Sequence, residues 1–314
     1  MISALIFSKD RAMQLDGMLR SFFRWSAEPE LGRLTVLYAA SSARFRVQYQ
    51  ELEREYQGRV HFVEETDFRT QMLELAGAFL KDKRVWSPGQ WISRRGRASA
   101  GSNTPQGVRP GHILFLVDDT LFVRPFSLRL AAETLETNHD ALGFSFRLGT
   151  NTVYSYVLRR PQGVPSFEHL PGGVMKYRWP QADGDFAYPL ELSSSFYRAE
   201  MVVRLVRGLK FTDPNILESQ MSVKAGRLGR RFPSLLCWEN SVAFSAPVNR
   251  VQQVYENRSG AESRLSVDSL ASLFQDGQRV DLRTLEGFVP SACHQEVSLS
   301  FKPQASPADA QSMR

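Results

Sequence analysis

Apolar and polar positions come in alternating blocks through the first half of the chain. Residues 2–8, ISALIFS, are almost wholly apolar, which predicts a buried strand. Leu15, Met18, Leu19, Phe22 and Phe23 follow at i, i+3, i+4, i+7 and i+8, one face of a helix. The pattern recurs twice. Residues 34–39 read as a strand followed by the helical stripe Phe45, Tyr49, Leu52 and Tyr56, and residues 60–63 as a strand followed by Phe68, Met72, Leu75 and Phe79. Residues 112–117 add a fourth strand. Repeated strand–helix units predict an α/β fold whose largely parallel sheet is covered by helices on both faces.

The second half is more mixed. Residues 142–148 and 153–158 read as strands around Gly149-Thr150-Asn151, a hairpin. Residues 160–190, rich in Pro, Gly and aromatics, read as surface loops, 190–197 as a strand and 199–209 as a helix. Thr212-Asp213-Pro214 marks a helix start, a capping residue before Pro at the first helical position. Residues 86–110 have no periodicity and are long for a connection, which predicts a flexible insertion. From Lys302 onward the chain is Pro, Ala, Ser and Gln, read as a disordered tail over 302–314.

Composition narrows the picture. Hydrophobic residues are 42 % of 314, enough for a sizeable core. No apolar run reaches the length of a membrane span, and the first residues enter a strand-like run without a basic leader, so neither a transmembrane helix nor a signal peptide is expected. Cys237 and Cys293 can pair, but free thiols suit a cytoplasmic chain better. The net charge of +6 favours anionic partners. The basic excess concentrates in Arg84, Arg94, Arg95, Arg97 and Arg109, a stretch without an acid. The expected location is the cytoplasm, with peripheral contact to the inner membrane face left open by the basic balance.

The chemistry concentrates where the fourth strand ends. Residues 112–119 run His-Ile-Leu-Phe-Leu-Val-Asp-Asp, a buried strand delivering two acids side by side. Two carboxylates at a sheet's mouth repel unless a cation or donors neutralise them, and ligands of open α/β sheets bind at the carboxyl ends of the strands. Asp118 and Asp119 therefore read as a metal and nucleotide site. The first strand ends Phe7-Ser8-Lys9-Asp10-Arg11, with no Gly-x-Gly-x-x-Gly, which disfavours a dinucleotide site, a P-loop and a nucleotidyltransferase.

A strand ending in a short polar loop with Arg, then βα repeats, then an apolar strand ending in paired Asp resembles bacterial glycosyltransferases of the GT-A fold, family 2-like. These bind a nucleotide-diphosphate sugar through an Asp-x-Asp-type motif, here Val117-Asp118-Asp119 with Val in the first place. The resemblance implies a mixed α/β sheet flanked by helices in a single catalytic domain over 1–301, with a nucleotide-binding half to about residue 125 and an acceptor half from about 126. It implies Asp119 as ligand of a divalent metal, Mn²⁺ or Mg²⁺, with Asp118 on the ribose or the metal's water shell and His294 as second ligand. An imidazole in the set suits Mn²⁺.

The resemblance also implies a metal-dependent, inverting transfer to a saccharide, lipid-linked or protein acceptor. Glu218 is the candidate general base, with Glu239 as runner-up and Asp213 more simply a helix cap. Ser194 and Ser195, within Ser193–Ser195, stand where the donor sugar is lined. Ser8, Asp10, Arg11, Tyr38, Ser41 and Asp67, at predicted strand ends, are the nucleoside candidates. Trp179 and Trp238 are either stacking surfaces or core. The alternatives are a nucleotidyltransferase and a non-catalytic nucleotide-sugar or nucleic-acid-binding protein. Nucleic acid is not expected, because the Arg-rich segment lacks interleaved aromatics.

Overall fold

A computed structural model describes residues 2–29, 32–81, 111–251 and 265–304. The segment 86–110 lies outside the described residues. The first half builds β1 (Ile2–Lys9), α1 (Ala12–Trp25), β2 (Gly32–Ala39), α2 (Ala43–Glu55), β3 (Val60–Glu64), α3 (Phe68–Lys81) and β4 (His112–Val117). There follow β5 (Thr120–Phe122), α4 (Leu128–Thr137), β6 (Ala141–Ser145), β7 (Tyr154–Ser155), β8 (Arg160–Pro161), β9 (Glu168–Leu170) and β10 (Val174–Arg178). The last third contributes β11 (Ser195–Arg198), α5 (Ala199–Arg207), α6 (Pro214–Leu228), β12 (Ser234–Trp238), β13 (Ala243–Ser245), α7 (Val267–Gln275), β14 (Gln278–Val280) and β15 (Phe301–Pro303).

Nine strands form one mixed sheet in the order β3-β2-β1-β4-β11-β6-β12-β10-β9. The first four pair parallel, and β11 enters antiparallel between β4 and β6. Period-two alternation divides the core into two layers. Ile6, Leu114 and Leu116 face one layer with Leu15, Met18, Phe22, Tyr49 and Leu52 of α1 and α2. Leu5, Phe7, Ile113 and Phe115 face the other with Met72 of α3, Val202 of α5 and Leu217 of α6. Most residues of the helical stripes read from the sequence are buried there, with Phe23 and Leu75 partly buried against the core. Each fully buried Leu or Phe contributes about 1.5–3 kcal/mol, so the layers fix the strand register. Gly143 of β6 is a packing requirement, since a Cβ there would come within 2.6 Å of the Tyr197 ring.

Several expectations from the pattern fail, among them the strand over 190–197, which begins only at Ser195. The hairpin over 142–158 does not form: β6 pairs with β11 and β12, and β7 with β8. The inter-sheet partners of 141–145 lie far along the chain, beyond what local turn signals report. The segment 160–190 is more than surface loop, since Val174–Arg178 is a sheet strand between β12 and β9. Lys302 and Pro303, assigned to a disordered tail, lie in β15, which pairs with β14. Among the described residues no helix is long and apolar enough to cross a membrane, and both cysteines are free and buried.

Candidate active site

The carboxyl ends of β1–β4 open on a cavity of about 600 Å³ lined by Phe7, Ser8, Lys9, Arg11, Leu37, Ala39, Glu65, Val117, Asp118 and Asp119, among others. Strand order reverses between β1 and β4, so this is the sheet's switch point, where a crevice opens because flanking connections leave to opposite sides.

Asp118 is fully occupied by neighbours. Its Oδ1 accepts from Arg11 Nη1 at 3.1 Å and its Oδ2 from Ser8 Oγ at 2.9 Å, with the Lys9 amide at 3.3 Å. Ser8 Oγ also lies 2.6 Å from the Tyr49 hydroxyl, which accepts from the Arg11 amide at 3.1 Å. Arg11 Nε donates to Asn249 Oδ1 at 2.9 Å. The guanidinium is therefore held from both sides, and beside Asp118 and Asp119 its own pKa rises despite burial. Asp10, between these residues, adopts the left-handed φ of 55°, and its Oδ1 accepts from the Ser41 amide at 2.7 Å. Asp tolerates that backbone region better than most residues because its side chain bonds locally.

Asp119 is less satisfied. Arg11 Nη1 is 3.7 Å from it, and that charge is shared with Asp118. Burial and the charge of Asp118 push the Asp119 carboxyl up to about 6, against the pull of Arg11. The β5–β13 ribbon brings its companions. Ser245 pairs with Thr120, the Ala246 amide donates to the Asp119 carbonyl at 2.8 Å, and the Ser245 amide to the Cys293 carbonyl at 2.9 Å. His294 arrives in the cavity by this route.

His294 is neutral, its pKa pushed down to about 3 by burial and by Arg147. Arg147 Nη1 sits 3.2 Å from His294 Nε2 and 3.0 Å from Ser245 Oγ. Its Nη2 donates to Glu191 Oε2 at 2.8 Å. Glu191 in turn accepts from the Ser194 amide at 3.1 Å and from Ser195 Oγ, which fixes the serine turn. One buried ion pair thus ties the serine turn to His294.

Glu218, in the second turn of α6, lines both this cavity and a second of about 540 Å³. Asp213 caps the helix by accepting from the Asn215 and Ile216 amides at 2.9 and 3.0 Å. The Leu192 amide donates to Glu218 Oε2 at 2.8 Å and the Tyr188 hydroxyl to Oε1 at 3.2 Å. Burial and the nearby Glu191 charge outweigh these bonds and raise the Glu218 pKa to about 7. A helix N-terminus lowers a carboxylate's pKa, but here desolvation is the larger effect.

The same residues bear on whether a divalent cation can sit here. Among the described residues no three His, Cys, Asp or Glu side chains cluster to hold a metal unaided, so a cation here would complete its shell with substrate oxygens and water, as Mg²⁺ commonly does. Asp119 fits, because Arg11 leaves its charge incompletely compensated. His294 has Nδ1 buried without a partner, while Nε2 faces Arg147. Ligation through Nε2 requires the imidazole to give up Arg147 as partner, whereas Nδ1 has no partner to give up.

Of the residues singled out from sequence, Ser8, Arg11, Asp118, Asp119, Glu218 and His294 line the first cavity. Ser195 lines the second, whereas Ser194 is fully buried behind it. Tyr38 is buried and stacks on Tyr49 at 4.2 Å. Ser41 and Asp67 are exposed, and Asp67 accepts from the Thr70 amide and hydroxyl. None of these three lines either cavity: Tyr38 packs into the layer of α1 and α2 on the other side of β2 from the cavity-lining Leu37, and Ser41 and Asp67 face solvent. Glu239 is exposed and lines neither. Trp179 and Trp238 are core: Trp179 Nε1 donates to the Phe232 carbonyl at 2.7 Å, and Trp238 packs on Phe144. The pattern missed Arg147, Glu191, Tyr49, Asn249 and Tyr188. A usable signal existed for two of them, since Arg147 and Glu191 are opposite charges inside apolar runs, and buried charges pair.

No family model matches the chain. The bifunctional glycosyltransferase pgtA of Dictyostelium discoideum is 23% identical over 306 residues, covering 89% of this chain. The chain is similar to a glycosyltransferase. It spans about a third of that relative, 36% of its length. Among solved structures, S. aureus TarS aligns with 78% of this chain and 36% of its own at 10% identity and a TM-score of 0.46. TarS 1–349 in complex with UDP-GlcNAc aligns with 80% of this chain and 59% of its own at 11% identity and a TM-score of 0.42.

Proposed function

We propose that the chain is a glycosyltransferase that moves a sugar from a nucleotide-diphosphate sugar to an acceptor hydroxyl, with inversion at the anomeric carbon. The observation that carries the reading is the place of Glu218, a buried carboxylate lining both cavities whose pKa burial and Glu191 raise to about 7, with the acidic pair and Arg11 lining the first. The similarity to pgtA supports the reaction class.

In this reading the nucleotide lies at the switch point against Ser8, Lys9 and Arg11. Asp119, joined by His294, would hold a divalent cation, Mn²⁺ or Mg²⁺. When bound, that cation shields the charge growing on the departing diphosphate. Arg11 places a fixed positive charge at the same end and needs no reorganisation, being held by Asp118 and Asn249. Glu218 takes the proton from the acceptor hydroxyl as its oxygen attacks the anomeric carbon. A base with a pKa near the working pH combines an ionised fraction with driving force for proton transfer. The serine turn, fixed through Glu191, presents Ser193 to both cavities.

Two measurements test the reading. Calorimetric titration with UDP and GDP, with and without Mn²⁺, is expected to show binding strengthened by the metal, and absence of nucleotide binding overturns the donor assignment. Glu218→Gln is expected to lower kcat by roughly 10²–10⁴-fold with nucleotide affinity retained, and unchanged turnover overturns the base assignment.

A further inference from the structure

The second cavity carries more information than its position. Among the described residues lining it are three acids, Asp185, Glu191 and Glu218, against one arginine, Arg147. That arginine's charge is already committed to Glu191 at 2.8 Å. Asp185 keeps a carboxylate oxygen, Oδ2, buried without a hydrogen-bond partner, while its Oδ1 accepts from Ser155 Oγ at 3.0 Å. That oxygen is out of reach of a water molecule, so Asp185 acts on the cavity through its charge rather than through this atom. A phosphate or carboxylate brought here meets uncompensated negative charge at short range and finds no free cation among the described lining residues.

The mouth of the same cavity is apolar. Val157, Leu158 and Val223, three of its lining residues, are 63%, 52% and 75% exposed, and Tyr188 adds its ring face beside Glu218. Val157 lies between β7 and β8 and Val223 on α6, so two separate elements place aliphatic side chains in solvent around one opening. Exposed Val and Leu scattered singly mean little, but grouped around a polar cavity they mark the part of a ligand that is itself apolar.

We propose that the second cavity selects an uncharged, hydroxyl-bearing acceptor with an apolar flank, and rejects acceptors that carry phosphate near the reacting hydroxyl. The inference rests on the transferase reading for the word acceptor, while the selection rests on the cavity's own charge and rim. The hydroxyls meet Glu218 in the field of Asp185, and the apolar portion leaves past Val157, Leu158 and Val223.

The test uses the full chain with a panel of octyl hexosides and the matching hexose phosphates, read by released nucleoside diphosphate and by direct calorimetric binding without donor. Octyl hexosides are expected to bind and be consumed, with at least roughly tenfold preference over the phosphates. Val223→Asp, a change on an exposed helix face, is expected to raise KM for octyl hexosides roughly tenfold. Asp185→Asn is expected to narrow the gap against the phosphates. Preference for the phosphates, or an unchanged KM in Val223→Asp, overturns the inference. Octyl hexosides that bind while no nucleotide does overturn the transferase reading and leave the cavity's selectivity standing, so the two failures are separable.

Discussion

Two acids in this site sit well above their ordinary range, Asp119 at about 6 and Glu218 at about 7. For a general base the consequence is direct: activity rises with pH through about 7 and is lost below it, and a kcat–pH profile of the wild-type protein checks this. Stability follows the opposite sign. A carboxyl with a raised folded pKa contributes stability that is fully present below its unfolded value, near 4, and is lost as pH rises through the folded value. Glu218→Gln, which keeps the shape and removes the charge, is therefore expected to raise Tm at pH 8 by about 2–5 °C, and by little at pH 4. Scanning calorimetry at both pH values decides, and a lower Tm at pH 8 contradicts the raised pKa. Asp119→Asn is expected to abolish the Mn²⁺ enhancement of UDP or GDP binding, and His294→Ala to weaken it less, since the imidazole is neutral and its Nε2 already faces Arg147. That Asp118 and Asp119 line the first cavity was legible because acids at the end of an apolar run demand an explanation, whereas Glu218 was reached through the family resemblance and the helix start at Asp213. Arg147 and Glu191 were harder, because each alone reads as a stray charge and only their pairing across 44 residues gives them a role.

At the scale of elements, α6 and the β14–β15 ribbon do the positioning. Asp213 accepts two amides at the start of α6, the end that carries Glu218. Asp213→Ala is expected to cost about 1 kcal/mol and to reduce kcat while leaving nucleotide affinity near wild type, measured by denaturant melts and steady-state kinetics. The ribbon is anchored by Arg279, buried at 2% exposure. Its Nη2 donates to Glu51 and Glu55 at 2.8 and 3.0 Å, and its guanidinium stacks 3.8 Å from the Phe274 ring. Arg279→Ala leaves acids without their partner and is expected to cost about 3 kcal/mol or more, read as a shift in denaturant midpoint. Helices of the first half were legible because each has a single buried stripe. β10 and β15 were not, since Val-Met-Lys-Tyr-Arg and Phe-Lys-Pro are too short or mixed to show a period. What makes them strands is the neighbour they pair with.

For the whole molecule, the repeated βα units fixed the parallel half and so the place where the order of strands reverses. The antiparallel half, with β11 inserted between β4 and β6, was beyond reach of the pattern because its pairings join distant segments. The net charge of +6 suggested an anion-binding surface, yet the second cavity is acidic, so the chain's overall sign and its local sign point to different ligands. Arg11 is tied to Asn249 across 238 residues, and β15, the last described strand, pairs with β14, which packs on α1. A chain made from its amino end at about 5–20 residues per second would have β1 to β4 in hand well before those partners emerge. During that interval Arg11 lacks Asn249 and Asp119 lacks Ser245 and His294. The switch-point crevice can be outlined early in synthesis, but its lining is not complete until most of the described chain has left the ribosome.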